Sequence, residues 1–214
     1  MMSDEEIRHR ILKNSMDLAA EQGWNAMSLS DAARRCNVSL DMARKLFPCK
    51  SSLLLYLNRL ADQAALKQSY QHQPVPEYLF DLFMERFDTF QQYRQGLISA
   101  IHSLPLNPPL AFLLQIAIQN SMKWLAEAAE INTSGLRGIT CIKGLTAIWA
   151  LNMRIWLKDE SSDLSQTMAS LDKSFKKAGK FARYCVQRTV TDQNGKKKNQ
   201  VDNSYYSDKD GNQQ

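Results

Sequence analysis

Glycine and proline are scarce in this chain, with eight and six among 214 residues. That is too few for the many tight turns of a β-sandwich or barrel. Cysteine is scarcer still: Cys36, Cys49, Cys141 and Cys185 show no CxxC spacing, and His9, His72 and His102 stand far from them and from one another. Such scatter argues against a zinc site, so no metal and no cofactor is expected, and the chain reads as cytoplasmic with reduced thiols. Long apolar runs are missing as well. Each is interrupted by Lys, Arg, Gln or Asn before the roughly 18 residues that a membrane span needs, and residues 1–25 lack the apolar stretch of a signal peptide. No stable membrane association is expected. No GxSxG elbow, glycine-rich phosphate loop or recognisable Cys–His spacing occurs, which leaves an enzyme reading without support.

What is present is an ordinary globular composition, 44% hydrophobic and 23% charged, arranged in long tracts of helical period. The fold class is therefore all-α. Ile7, Ile11, Leu12, Ser15, Met16 and Ala19 mark a first helix, opened by Ser3 or Asp4 with Glu5 and Glu6 in its first turn and closed by Gly23. Ser28 and Asp31 have the spacing of a capping box and begin a short helix over Leu29 to Cys36, whose Ala32 and Ala33 permit close approach of a neighbour. Asn37 suits a left-handed turn residue, Val38 a core plug and Ser39 the next N-cap, so a turn of about three residues joins two short helices. This is helix-turn-helix spacing.

The next helix, LDMARKLF, stops at Pro48, and a longer one runs from near Lys50 to about Gln71. Residues 72–76 read as a loop. Phe80, Phe83, Phe87 and Phe90 then share one helix face up to Tyr93, and a shorter helix covers about Gln95 to Ser103. Pro108 or Pro109 suits the first turn of a helix reaching about Glu130. The tract from Leu136 to Lys158 is apolar on more than one face, which predicts burial both inside the subunit and against a partner. Asp163 opens a last helix, where Leu164, Met168, Leu171, Phe175, Ala178, Ala182 and Cys185 alternate spacings of four and three. Such a seam packs lengthwise on another helix, and a homodimer through Ile148, Ile155, Leu164, Met168, Leu171 and Phe175 is its natural use. Three regions follow: a helix-turn-helix domain over 4–50, a helical effector-binding and dimerisation domain over 51–188, and a disordered polar tail over 189–214.

The net charge of +5 is local. Between Ser28 and Arg59 six basic residues (Arg34, Arg35, Arg44, Lys45, Lys50, Arg59) face two acids (Asp31, Asp41), a difference of +4. A helix entering the major groove of double-stranded DNA needs short polar or basic side chains at its N-terminal end, with flanking Lys and Arg on phosphates. Ser39, Leu40, Asp41, Met42, Arg44 and Lys45 occupy that stretch. The same cluster also has a simpler reading as a solvated face that complements helix dipoles. Deeper in the chain, Phe83, Phe87, His102, Trp124, Trp149 and Met153 are candidates for the wall of a pocket that takes a small apolar effector, and equally for ordinary core.

Residues 7–60 resemble the N-terminal domain of TetR-type transcriptional regulators. Gly23-Trp24 is similar to that family's Gly-aromatic at the end of the first helix, Ser28 to its Ser/Thr cap, Val38-Ser39 to its turn, and Phe47-Pro48-Cys49-Lys50 to its Phe-Pro-Ser-Lys junction. The resemblance implies that Ser28 and Lys50 hold phosphates, that the third helix reads bases, and that the two last long helices dimerise. It implies a regulator, a repressor in the usual case, on a near-palindromic operator. Two positions depart from the pattern: Arg44-Lys45-Leu46-Phe47 stands where the family has an aromatic run, and Asp41 replaces a common Gly. The same framework also resembles the lipid-binding proteins of ubiquinone biosynthesis, a branch of this fold that has left DNA for isoprenoid lipid. That alternative implies an apolar cavity and an amphipathic C-terminal helix, whereas the stretch after Arg188 is polar.

Overall fold

The computed structural model describes residues 3–67 and 73–178, together with the backbone of 189–191 and 197–199. Its described helices are α1 (Asp4–Gln22), α2 (Leu29–Arg35), α3 (Leu40–Leu46), α4 (Ser51–Leu66), α5 (Val75–Gln91), α6 (Arg94–Ser103), α7 (Pro108–Ala128), α8 (Gly135–Trp156) and α9 (Ser165–Lys177), with one 3-10 turn at Leu104–Leu106. The all-α expectation stands. Near the C-terminus, Thr189–Thr191 and Lys197–Asn199 form a short antiparallel pair. The sequence reading leaves this stretch without order; Thr-Val-Thr is β-branched, and the intervening Asn-Gly is a hairpin signal that composition alone outvoted. The rest of the expected tail, and the expected continuations of α4 to Gln71 and of α9 to Cys185, lie outside the described residues.

The chain forms two compact units. One holds residues 1–67 and 84–121, the other 68–83 and 122–214, so α5 and α7 each contribute to both. The cut differs from a boundary at residue 50 because α1 packs along α6, which holds the short helices and residues 84–121 in a single unit. Gly96 makes this packing possible: a Cβ there would lie 2.3 Å from the Met16 carbonyl oxygen. The Ser99 hydroxyl accepts from the Trp24 amide at 2.8 Å and ties the end of α1 to α6 as well.

In the second unit α9 packs on α8. The ring of Phe83 meets those of Trp149 and Phe175 edge-on, each at 5.5 Å. Asp159, fully buried in the connection, accepts from the amide and hydroxyl of Thr167, both at 2.7 Å, and from the amide and hydroxyl of Ser161. It thereby satisfies an otherwise orphaned donor at the start of α9, where Leu164 adopts a left-handed conformation. Burial alone would raise this carboxyl, but the Ser161 and Thr167 donors outweigh it and hold its pKa at about 2.

Two expectations are corrected here. Cys141, buried in α8, is disulfide-bonded, while Cys36 and Cys49 are free thiols. Pairing depends on how closely Cβ atoms approach across the fold, which spacing along the chain does not reveal. The α9 seam is also used inside the subunit: Leu164, Leu171 and Phe175 are buried with Ile148 in one chain. Leu171 is 0% exposed, so it has no surface left to offer a partner. An a/d period states that a helix face is covered and is silent on which chain covers it.

Candidate nucleic-acid interface

The N-terminal head, α1 to α4, is built around two short helices held by long-range ties. Ser3 opens α1 with a reciprocal capping box: its hydroxyl accepts from the Glu6 amide, and its amide donates to the Glu6 carboxylate at 2.8 Å. Gly23 ends the helix with φ of +91°, a conformation that a side chain rarely adopts. Ser28 caps α2 by accepting from the Asp31 amide at 3.1 Å, and its own hydroxyl donates to the Asp31 carboxylate at 2.6 Å. Asn37 is left-handed at φ +53°, and Val38 donates back to the Ala33 carbonyl at 2.9 Å, which closes the turn as the spacing implies. Ser39 stands at the N-cap of α3 without a side-chain cap bond; its hydroxyl instead holds the exposed Asp41 carboxylate below the usual range.

Seven residues give α3 little apolar surface of its own. It buries Ala43 and Leu46 and leaves Leu40, Asp41, Arg44 and Lys45 exposed, with Met42 half-buried. Leu40 is 49% exposed.

The basic residues of the cluster divide into two groups. Arg35 forms a forked pair with Glu21 of α1, at 2.7 and 2.8 Å, and Arg34 bridges Asp31 at 3.0 Å. Lys50 donates to the carbonyls of Met27 at 3.0 Å and Asn25 at 3.3 Å, and its ammonium lies 5.1 Å from the Trp24 ring centroid. Burial lowers its pKa. Lys50 is thus anchored in the loop before α2, and only its remaining donor is directed elsewhere. Among the described residues no ion pair engages Arg44 or Lys45 of α3, nor Arg59 of α4.

Sequence reasoning missed Arg8 and Arg10. Arg8 donates to the Leu46 carbonyl at 3.0 Å and lies over the rings of Phe47 and Tyr56, while Arg10 donates to the Cys36 carbonyl at 3.0 Å. Each satisfies an orphaned carbonyl at the C-terminal end of a seven-residue helix. The usable signal was the shortness of α2 and α3, which cannot supply that closure themselves. Tyr56 of α4 donates to Glu5 at 2.8 Å, and its ring meets Phe47 edge-on at 5.5 Å; burial raises its pKa, and Glu5 adds to the shift.

The six proposed pocket residues divide between the two units. Phe83 and Trp149 are in mutual ring contact, Phe87 is buried in the first unit, and Met153 is half-buried in the second. His102 is exposed, as is Trp124 at 55%. Helical period put them on apolar faces without indicating which faces meet. Among the proposed dimer residues, Ile155 and Met168 are exposed, and Leu136, Ile139 and Leu151 join them as large exposed apolar side chains of α8. Among the described residues no cluster of His, Cys, Asp and Glu could hold a metal, and no helix is long and apolar enough to cross a membrane.

Comparison with solved structures gives the class. The chain is similar to a TetR transcriptional regulator from Nitrosomonas europaea, at 25% identity and a TM-score of 0.69, over 81% of this chain and 98% of that one. A TetR-family regulator from Streptomyces coelicolor aligns over 89% of this chain and 93% of its own with a TM-score of 0.55, at 16% identity. A TetR regulator from a Rhodococcus species aligns over 80% and 97% with a TM-score of 0.52, also at 16% identity. No protein-family model matches the chain, and no curated protein matches it in sequence. The chain has the TetR-type fold, as the residues around Gly23-Trp24 and Phe47-Pro48 imply.

Proposed function

We propose that this chain is a DNA-binding transcriptional regulator that occupies a near-palindromic operator as a homodimer and represses from it, with a small apolar effector modulating its affinity. One observation carries the reading: α3 leaves Leu40, Asp41, Arg44 and Lys45 exposed and, among the described residues, outside any ion pair, whereas Arg34 and Arg35 are paired with acids and Lys50 is bonded to carbonyls. On DNA, Arg44 and Lys45 neutralise phosphates or meet guanine edges, Leu40 suits a thymine methyl, and the Asp41 carboxylate suits only the cytosine N4 amino group. The exposed apolar side chains of α8, with Met168 of α9, support a second copy as the partner, and a twofold pair presents two identical heads. Phe83 and Trp149 are core in this reading, so the effector is not assigned to them.

Enrichment from a random duplex pool tests it. The expected product is a near-palindrome with half-sites separated by about one helical turn or a multiple of it. Asp41→Asn should relax preference at one symmetric base pair and leave thermal stability unchanged. If nothing is enriched at low salt while an isoprenoid or acyl lipid is retained, the lipid-binding alternative replaces this reading.

A further inference from the structure

The helix between the reading head and the rest of the first unit carries an unusual device. Arg86 of α5 is fully buried, a costly setting for a guanidinium. It pairs with Asp62 of α4 and donates to Asn58 Oδ1 of the same helix at 2.9 Å, with its guanidinium 5.7 Å from the Phe90 ring centroid. Ser121 of α7 closes the network: its hydroxyl donates to Asp62 at 2.7 Å and accepts from Asn58 Nδ2 at 2.8 Å. Asn58 and Asp62 are four apart and so share one face of α4. Burial lowers the Arg86 pKa to about 9, which leaves it charged at neutral pH.

Such a network is a poor source of stability, since apolar residues of the same volume often hold a core as well or better. What it supplies is direction. An apolar ridge tolerates small slides and rotations, whereas one guanidinium shared between Asn58 and Asp62, with a hydroxyl from a third helix, is satisfied at one setting of α4 only. That setting reaches α3 through a short, tightly held junction. Phe47 is buried against Tyr56 of α4, Arg8 grips the Leu46 carbonyl, and Lys50 is pinned to the loop before α2.

We propose that Arg86 and Asp62, with Ser121, are positioning residues for α3, fixing the register of α4 and through it the angle at which the head meets DNA. The inference about DNA rests on the function proposed above; the inference about α3 does not. The test compares wild type with the double variant Arg86→Met/Asp62→Leu, which removes both charges and leaves neither buried alone, and with Ser121→Ala. Amide hydrogen exchange of the intact protein is read at α3 and α9, together with affinity for a duplex enriched by the wild type and for a scrambled duplex. The expected result is exchange at least tenfold faster in α3 with α9 unchanged, and a tenfold weaker enriched duplex with the scrambled one unaffected. Ser121→Ala should give about a threefold change in the same direction in both readouts. A folded double variant whose α3 exchanges at the wild-type rate overturns the proposal; if the double variant does not fold, an unchanged α3 in Ser121→Ala overturns it. Should wild type enrich no duplex, the DNA reading fails while the exchange comparison still decides whether the network sets α3.

Discussion

The α1–α4 head and the α8–α9 pair hold their helices by different chemistry. In the head, two helices of seven residues bury a few small side chains each, and long cationic side chains reach over from elsewhere to close them: Arg8 on Leu46, Arg10 on Cys36, Lys50 on Met27 and Asn25. In the pair, α9 lays Leu171 and Phe175 into the core, and one buried carboxylate, Asp159, closes the connection. The head has a core of its own in Ile11, Leu12, Phe47, Leu53 and Leu57, but the exposed charges of α3 lie outside it and can change at small cost in stability. The core residues of the pair cannot. This division suits a protein whose head would meet a variable polyanion while its helical pair stays constant.

The largest effect should come from asking which apolar residues of the pair are core and which are interface. Phe175→Glu places a carboxylate beside Phe83, where an unpaired buried charge costs several kcal/mol, so thermal unfolding should drop far enough to lose the native state near room temperature. Ile155→Glu touches an exposed position and should leave unfolding of the monomer within about 0.5 kcal/mol of wild type while dissociating the proposed dimer. Sedimentation at micromolar concentration separates the two. A dimeric Ile155→Glu variant would move the interface away from the exposed face of α8.

The two regions also differ in how much their sequences disclosed. Ser3, Gly23, Ser28 and Asn37 act on neighbours a few residues away, so caps and turns were legible from spacing, and the seven-residue helices appeared at their observed positions. The closing roles of Arg8 and Arg10 span 38 and 26 residues and leave no periodic trace. Arg86 lies in the phenylalanine-rich face Phe83, Phe87, Phe90, and a lone charge among rings was the available sign of a buried network. The seam of α9 was legible as a covered face, but Leu171 and Phe175 could not declare that α8 and Phe83 of their own chain do the covering.

An intermediate effect is expected at Asp159. Its pKa of about 2 lies below the ordinary 3.8 of an aspartate, so the folded state favours the charged form. This stabilisation is present above pH 4 or so, is worth roughly 2 kcal/mol, and is lost as pH falls from the unfolded value through the folded one. Asp159→Asn should lower stability at neutral pH by about that amount and flatten the loss of thermal stability in the acid range. If the acid dependence of the unfolding midpoint is the same in both proteins, the carboxylate is not what closes the connection to α9.

The smallest effects separate the tied lysine of the head from the exposed one. Lys50→Met removes two bonds to carbonyls and a charge above the Trp24 ring, so it should cost about 1 kcal/mol of stability, the net worth of a typical hydrogen bond that water can partly replace. Its effect on DNA should be modest, because most of its donors are already committed. Lys45→Met should do the reverse. It is exposed and makes no ion pair among the described residues, so unfolding should be unchanged, while the slope of log affinity against log salt should fall by roughly 1 per subunit, the sign of one lost phosphate contact. The pair of variants is informative because the two lysines lie five positions apart on the same basic stretch and carry the same formal charge. Equal changes in salt slope would mean that Lys50 reaches phosphate with its last donor, as the family resemblance implies, and that the structure's sorting of tied from exposed charge does not govern binding. A change at Lys45 alone would mean that the head reserves its charge for α3.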